Sequence, residues 1–437
     1  MTCDGNCNFC SLNTSAKNEK LIDFLKANCP DAESSFTYDS KIHSTPYRVF
    51  LGLTARCNLS CPYCFTHQHN EDMTYEIAKK GVEFAIKNHK ESLDPEKDNV
   101  PSIIFFGGEP MLKFDSIIKP LIEEYGTQIN WSMTTNGTLL TEDVVDFLYQ
   151  HDVNFMLSFD GIKEVQDIQR PGKGFSSYDK VMQNIPYILV RFPDIGMRCT
   201  VTKHMIPYIY ETYKMCDEIG FYNLICGVNS FEEWTEEDGK KAEKQFKKIA
   251  ADIYYRLMTP DQYRICKFEP FDRLFKDMRR SISNNNFYDN GVLRCGMGTT
   301  TIAICPDGSF VPCQEQVTCP RDIIGNIDTG INYNLHKKFL LHYFNNIEKV
   351  RCENPTCSEN CYKICHSVVC PNRLVGDNFK RNNTDCIYLK ALYNAFYNLY
   401  QLTRGNINPI IRQFTGEEIE YNFVTEENEE KEEKENA

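Results

Sequence analysis

Short apolar, β-rich runs alternate with stretches of helical period from Tyr47 to Val228. The runs predict strands over Tyr47–Leu53, Ser102–Phe106, Ile129–Thr134, Val153–Ser158, Ile195–Val201 and Asn223–Val228. Between them the helical pattern covers about 73–90, 115–125, 141–151, 178–192 and 208–219. Thr141, for example, can cap a helix in which Val144, Val145, Leu148 and Tyr149 recur at helical spacing. A further helix over 237–257 carries the stripe Ala242, Phe246, Ile249, Ala250 and Ile253. Six strands alternating with helices predict an α/β fold with a parallel sheet and right-handed crossovers. The sheet is expected to form a partial (β/α)6 TIM-like barrel, with an open doubly wound sheet as the alternative. Either way the active site belongs at the carboxyl ends of the strands.

Beyond this region the pattern changes. Residues 1–46 read as a Cys-containing extension, 47–235 as the barrel and 236–294 as a helical connection. Residues 295–390 are turn-rich and dense in Cys, 391–424 form a helical closing segment, with Ile387–Leu402 as the closing helix, and 425–437 form an acidic tail. That tail has seven Glu and two Lys, and its composition is that of a solvated, disordered end. The chain has 437 residues and a net charge of −13, which argues against general nucleic-acid or anionic-membrane binding. No apolar run approaches the roughly 18 residues of a membrane span, and the N-terminus lacks a signal-peptide core. A cytoplasmic location is the expectation.

There are 21 Cys, and in a reducing compartment clustered Cys reads as metal-binding or catalytic. Cys199, Cys216, Cys226 and Cys266 are isolated and read as small core residues. Cys57-x3-Cys61-x2-Cys64 directly follows the first strand. Iron–sulfur clusters usually take four Cys ligands. Three thiolates would hold three irons of a cube and leave the fourth open to another ligand. Structural zinc is the alternative, but it prefers paired Cys-x2-Cys hooks and a fourth ligand. Cys3-x3-Cys7-x2-Cys10 repeats the spacing without a strand before it.

Cys57, Cys61 and Cys64, with Tyr63 before the last, resemble the cluster motif of the radical S-adenosylmethionine (SAM) superfamily. In that family a [4Fe–4S] cluster with one open iron chelates SAM and cleaves it to methionine and a 5′-deoxyadenosyl radical, which abstracts hydrogen from a substrate. Other residues match along the barrel. Gly107-Gly108-Glu109-Pro110 is similar to the family's Gly-Gly-Glu-Pro motif, whose peptide groups and Glu109 would meet the SAM ammonium. Asn136 ends the third strand, and Ser158-Phe159-Asp160-Gly161 the fourth. The resemblance implies Ser158 near the ribose, Asp160 among the cofactor contacts, and Arg170 at the SAM carboxylate, where a guanidinium fork fits. Arg198 is a second candidate for that role, and Val228 a candidate adenine contact.

The later Cys block resembles the SPASM extension, which binds two auxiliary [4Fe–4S] clusters in enzymes that modify peptides and proteins. Cys295-x12-Gly308-x4-Cys313 fits its first half, with Pro306-Asp307-Gly308 as a hairpin turn. By order, the resemblance implies Cys295, Cys305, Cys313 and Cys370 for one cluster. It implies Cys357, Cys361, Cys365 and Cys386 for the other, although the spacing between Cys357 and Cys370 departs from the usual one. Cys319 and Cys352 are left over. Sulfatase maturases place an Asp after the Cys of this motif as substrate base. Here Gln314 stands there and cannot take a proton usefully, with Glu315 next as a candidate base. The resemblance therefore implies a peptide maturase, for instance one forming thioether links in a Cys-rich peptide, with a flavodoxin or ferredoxin as electron donor. Sulfatase-maturase-like oxidation of a protein and a multi-cluster electron carrier are the alternatives.

Overall fold

The computed structural model describes residues 45–91, 100–257, 266–274, 296–346 and 383–402. The six expected strands are present: β1 (Arg48–Thr54), β2 (Ser102–Gly107), β3 (Asn130–Thr135), β4 (Asn154–Ser158), β5 (Gly196–Val201) and β6 (Asn223–Val228). They pair in parallel in sequence order, β1 to β6. A doubly wound sheet would reverse its order at a switch point. This order does not reverse, so the barrel-type reading stands. The sheet continues through β7 (Lys267–Phe268) beyond β6 and through β8 (Thr301–Ile304), which pairs in parallel with β1. From β8 an antiparallel meander runs out through β9 (Ser309–Val311), β10 (Gly325–Asn326) and β11 (Gly330–Ile331). The edges, β7 and β11, do not pair with each other. The barrel is partial.

The helices match the apolar pattern in all but detail. They are α1 (Tyr75–Glu91), α2 (Lys119–Tyr125), α3 (Glu142–Gln150), α4 (Lys163–Gln169), α5 (Ser177–Met182), α6 (Ile185–Arg191) and α7 (Ile209–Ile219). After β6 come α8 (Glu236–Leu257), α9 (Tyr333–Asn346) and α10 (Asn383–Leu402). The single helix expected over 178–192 is two, because Pro186 lacks an N–H and takes the first turn of a new helix. α4 escaped the periodicity because it is only seven residues long. Thr141 does sit at the N-cap of α3 with extended backbone, but its side chain makes no capping hydrogen bond.

Alternation along the strands sorts residues onto two faces. Under the helices lie Leu51, Phe105, Met133, Leu157, Met197 and Leu224, all nearly or fully buried, with the Phe105 and Trp131 rings stacked at 5.5 Å. On the concave face Ser158 is in register with Arg198, and Arg198 with Ile225; all three are half-buried. α10 closes the β6–β7 side. Ser230 Oγ donates to Asp385 Oδ1 at 2.8 Å, Trp234 N donates to Thr384 Oγ1 at 2.8 Å, and the Phe246 and Tyr388 rings meet edge-on at 5.6 Å.

The four Cys that look isolated in sequence are buried as expected, but they are not isolated in space. Cys199 and Cys226 face each other across β5 and β6 with sulfurs 3.1 Å apart, and Cys216 lies 3.4 Å from Cys266. Burial holds the Cys216 and Cys226 thiols well above their usual pKa, so they pack as neutral groups.

Candidate active site at the strand ends

The Cys loop leaves β1 through a clamped stem. Thr54 Oγ1 donates to Asp72 Oδ1 at 2.5 Å, Arg56 Nε donates to the same oxygen at 2.9 Å, and Lys113 Nζ reaches Asp72 Oδ2 at 2.6 Å. Gly107 and Gly108 lie flat against this stem. A Cβ on Gly108 would stand 2.1 Å from Arg56 O, and one on Gly107, whose φ is +133°, would stand 2.4 Å from Thr54 O. The amides of Gly108 and Glu109 donate to Thr54 O at 2.7 Å and Arg56 O at 2.9 Å. The glycines thus serve first to let β2 approach the Cys loop. Those two amides are spent on the stem, so only the carbonyl sides of these peptides remain to meet an ammonium.

Cys57 and Cys61 are half-buried and Cys64 is exposed; none is in a disulfide. Leu59 N donates to Cys57 Sγ and Thr66 N to Cys64 Sγ, each at 3.4 Å. Burial pushes the Cys57 thiol up to about 11, against the Leu59 amide, and Cys61 up to about 12, against the nearby Arg170. Ligation would have to release these protons. The loop is bridged to the segment after α4: Ser60 N donates to Pro171 O at 2.9 Å, Lys173 N to Asn58 O at 3.3 Å, and Lys173 Nζ to Cys57 O at 2.7 Å. Asn136 joins from β3, its Nδ2 donating to Asn58 Oδ1 at 2.9 Å.

Glu109 is 1% exposed, and three donors hold its carboxylate. They are Thr135 Oγ1 at 2.7 Å, Asn136 N at 2.8 Å and Met111 N at 3.1 Å. Burial still pushes its pKa up to about 7. A raised carboxyl pKa adds stability that is complete below the unfolded value and is lost as pH rises through the folded one. Between pH 4.5 and 7, Glu109 should therefore cost the cofactor-free chain about 3 kcal/mol, at about 1.4 kcal/mol per unit. Urea unfolding of wild type and Glu109→Gln across this range checks it, since the variant should lose that slope.

Asp160 and Arg170 form a buried ion pair, Nε to Oδ2, at 3.1 Å. Tyr63 OH donates to the same Asp160 oxygen at 2.6 Å, and its ring lies 5.5 Å beneath the Arg170 guanidinium. Burial opposes the Arg170 charge, but Asp160 and the groups around it more than offset this, and the guanidinium stays charged. Ser158 and Arg198 face the concavity, with the Arg198 guanidinium packed over Gly227. Val228 is in register with Val201 and packs against the main core, so it is not drawn together with Ser158 and Arg198.

Of the later Cys residues, Cys305, Cys313, Cys319 and Cys386 lie among the described residues. Cys295, Cys357, Cys361, Cys365 and Cys370 lie outside them, as do Cys3, Cys7, Cys10 and Cys352. The expected Pro306–Gly308 turn is there, with Gly308 at φ +87°. Cys305 and Cys313 fall at opposite ends of this β8–β9 hairpin, and the Cys305 thiol is buried among Ala303, Val311 and Val317. The structure does not bring these two together as ligands of one cluster. Cys386 is buried in α10.

Gln314 and Glu315 form a short turn that leads to Val317, and a Cβ on Gly52 of β1 would lie 2.9 Å from that side chain. His67 N then donates to Thr318 Oγ1 at 3.2 Å, and Cys319 packs on Phe65 and Phe231. The segment therefore lies beside the Cys loop. Sequence reasoning missed Asp72, Thr135, Gln169 and Lys173, because their partners are set by the tertiary fold and no local pattern marks them.

The donor set fits a cube with one iron left for another ligand. Structural zinc takes four ligands, usually from paired Cys-x2-Cys hooks, and this loop offers three Cys in one run. The Cys64 sulfur lies close enough to raise the thiols of both Cys57 and Cys61, and Cys57 and Cys64 each receive an amide N–H.

The radical SAM superfamily pattern matches residues 51–219. An uncharacterized protein of Methanocaldococcus jannaschii is 32% identical over 191 residues, 42% of this chain and 60% of that protein. The cysteine-type anaerobic sulfatase-maturating enzyme of Clostridium novyi is 26% identical over 381 residues, 80% of this chain and 94% of the enzyme. Among solved structures, native anSMEcpe with bound AdoMet and Cp18Cys peptide superposes with a TM-score of 0.61 at 21% identity, covering 82% of this chain and 98% of that one. The uninterrupted strand order, the three-thiol loop and these matches show that the chain carries a radical SAM superfamily domain over residues 51–219, close to the anaerobic sulfatase-maturating enzymes.

Proposed function

We propose that the chain is a radical SAM enzyme that oxidises a peptide or protein substrate. One observation carries this reading. The strand ends gather Cys57, Cys61 and Cys64 with the buried Glu109 and with Arg170, whose buried Nε makes no well-aligned hydrogen bond among the described residues. In this reading the three Cys hold a [4Fe–4S] cluster. Glu109 and the carbonyls of Gly107 and Gly108 suit an ammonium, and the fork of Arg170 suits a carboxylate. Ser158 and Asn136 at the strand ends, with Arg198 in register with Ser158 on β5, would serve the remainder of SAM. Bound together, the cluster and SAM supply one-electron chemistry that removes a hydrogen atom from an unactivated carbon.

The chain's own residues do the rest. In this reading Arg170 orients, the concave face keeps water away, and Glu315 takes a substrate proton. It is half-buried in the turn beside the Cys loop, whereas Gln314 offers no base. Glu315→Gln should lower substrate turnover about 100-fold while SAM cleavage continues, as loss of a general base typically does. Parallel assays of product and 5′-deoxyadenosine check this.

Cys313 and Cys386, with the Cys residues outside the described region, would serve auxiliary clusters of a SPASM-type domain, and a flavodoxin or ferredoxin would supply electrons. The finer reading is maturation of a Cys-rich peptide by thioether or related links. The length of the match to the Clostridium novyi enzyme favours a second reading, oxidation of a sulfatase-like protein. No helix among the described residues is long and apolar enough to cross a membrane. Mass spectrometry of a short Cys-rich peptide from a neighbouring gene, after co-expression, separates the readings. Loss of two hydrogens per link supports the peptide maturase, and an unchanged mass despite active SAM cleavage counts against it.

A further inference from the structure

We infer that Asp160 is a positioning residue that keeps the buried Arg170 charged without a well-aligned hydrogen bond from its Nε, and locks it to the Cys loop. This rests on the reading above, in which Arg170 receives the carboxylate of SAM. Asp160 is fully buried, and its four lone-pair sites are nearly filled by the protein. Oδ1 accepts Thr200 N at 2.9 Å, and Oδ2 accepts Tyr63 OH at 2.6 Å and Gln169 Nε2 at 2.8 Å. Enclosed in this way, Asp160 holds the cofactor contacts in place and does not make one itself.

The decisive atom is Arg170 Nε. It lies 3.1 Å from Asp160 Oδ2, close enough for the charges to compensate, but the approach is not that of a well-aligned hydrogen bond. Two donors already occupy Oδ2, so the guanidinium is neutralised without being consumed. A buried cation without its counter-charge would be strongly destabilising. A fully hydrogen-bonded one would have less to offer a ligand. Gln169 is itself fixed, donating to Thr200 O at 3.1 Å and accepting from Thr202 Oγ1. Tyr63 lies between Cys61 and Cys64, so the Tyr63–Asp160 bond makes the position of the guanidinium depend on that of the cluster loop.

The test compares the full chain carrying its clusters with Asp160→Asn and Tyr63→Phe variants. It reads hydrogen exchange without SAM and SAM binding by equilibrium dialysis. In Asp160→Asn the bridging amides of Ser60 and Lys173 should exchange at least tenfold faster, and the SAM dissociation constant should rise at least tenfold. Tyr63→Phe keeps the Asp160–Arg170 pair, so it should speed exchange at Ser60 and weaken SAM binding by a smaller factor. Should Asp160→Asn fail to fold, Tyr63→Phe decides the matter alone. Exchange and binding both within twofold of wild type in a folded variant would overturn the proposal. If wild type binds no SAM, the radical SAM reading fails, and the exchange arm still decides the role of Asp160.

Discussion

Replacing Cys57, Cys61 and Cys64 together by Ala is expected to remove about four iron atoms per chain, the content of one cube, and to abolish SAM cleavage. The loop's clamped stem does not depend on the thiols. Asp72 still gathers Thr54, Arg56 and Lys113, and Ser60 N still bonds Pro171 O. The barrel should therefore fold, and iron held by the later Cys block should remain. Iron analysis of anaerobically purified protein, together with chromatography of 5′-deoxyadenosine, reads both halves of this expectation. Wild-type-like 5′-deoxyadenosine from the triple variant would place SAM chemistry at another cluster.

Gly108→Ala should be nearly as severe by a different route. The added methyl would meet Arg56 O at 2.1 Å, and that oxygen belongs to backbone held by the Glu109 amide at 2.9 Å. Because backbone on both sides is fixed, the contact can relax only by moving β2 away from the stem of the Cys loop. Overpacking of this kind costs about 3 kcal/mol. Cluster occupancy should fall with it, since the stem sets where Cys57 begins. Denaturant unfolding and iron content measured on the same preparations check both effects. A variant with wild-type stability and iron would show that the β2 turn does not position the loop.

The apolar pattern located β1 to β6 to within a residue or so, because half-buried strands under helices leave a strong alternation of buried and half-buried positions. It left the choice between barrel and doubly wound sheet open, since strand order is a long-range property. The pairing of β8 with β1 was equally out of reach, as 246 residues of chain lie between Thr54 and Thr301. At the site, the three Cys, Glu109 and Arg170 could be found because each stands at a strand end or in a motif. Their supports could not. Thr135 under Glu109 and Gln169 beside Asp160 are polar residues that nothing in their local sequence distinguishes. Likewise, the resemblance, carried over by order, grouped Cys305 with Cys313, whereas the register of the β8–β9 hairpin holds them apart.

The most direct test of the central reading is anaerobic reconstitution of the full chain with iron and sulfide, followed by dithionite and SAM. Release of 5′-deoxyadenosine and methionine in equal amounts is the expected result. A reconstituted chain that shows the reduced [4Fe–4S] signal yet releases no 5′-deoxyadenosine would contradict the assignment and favour an electron carrier.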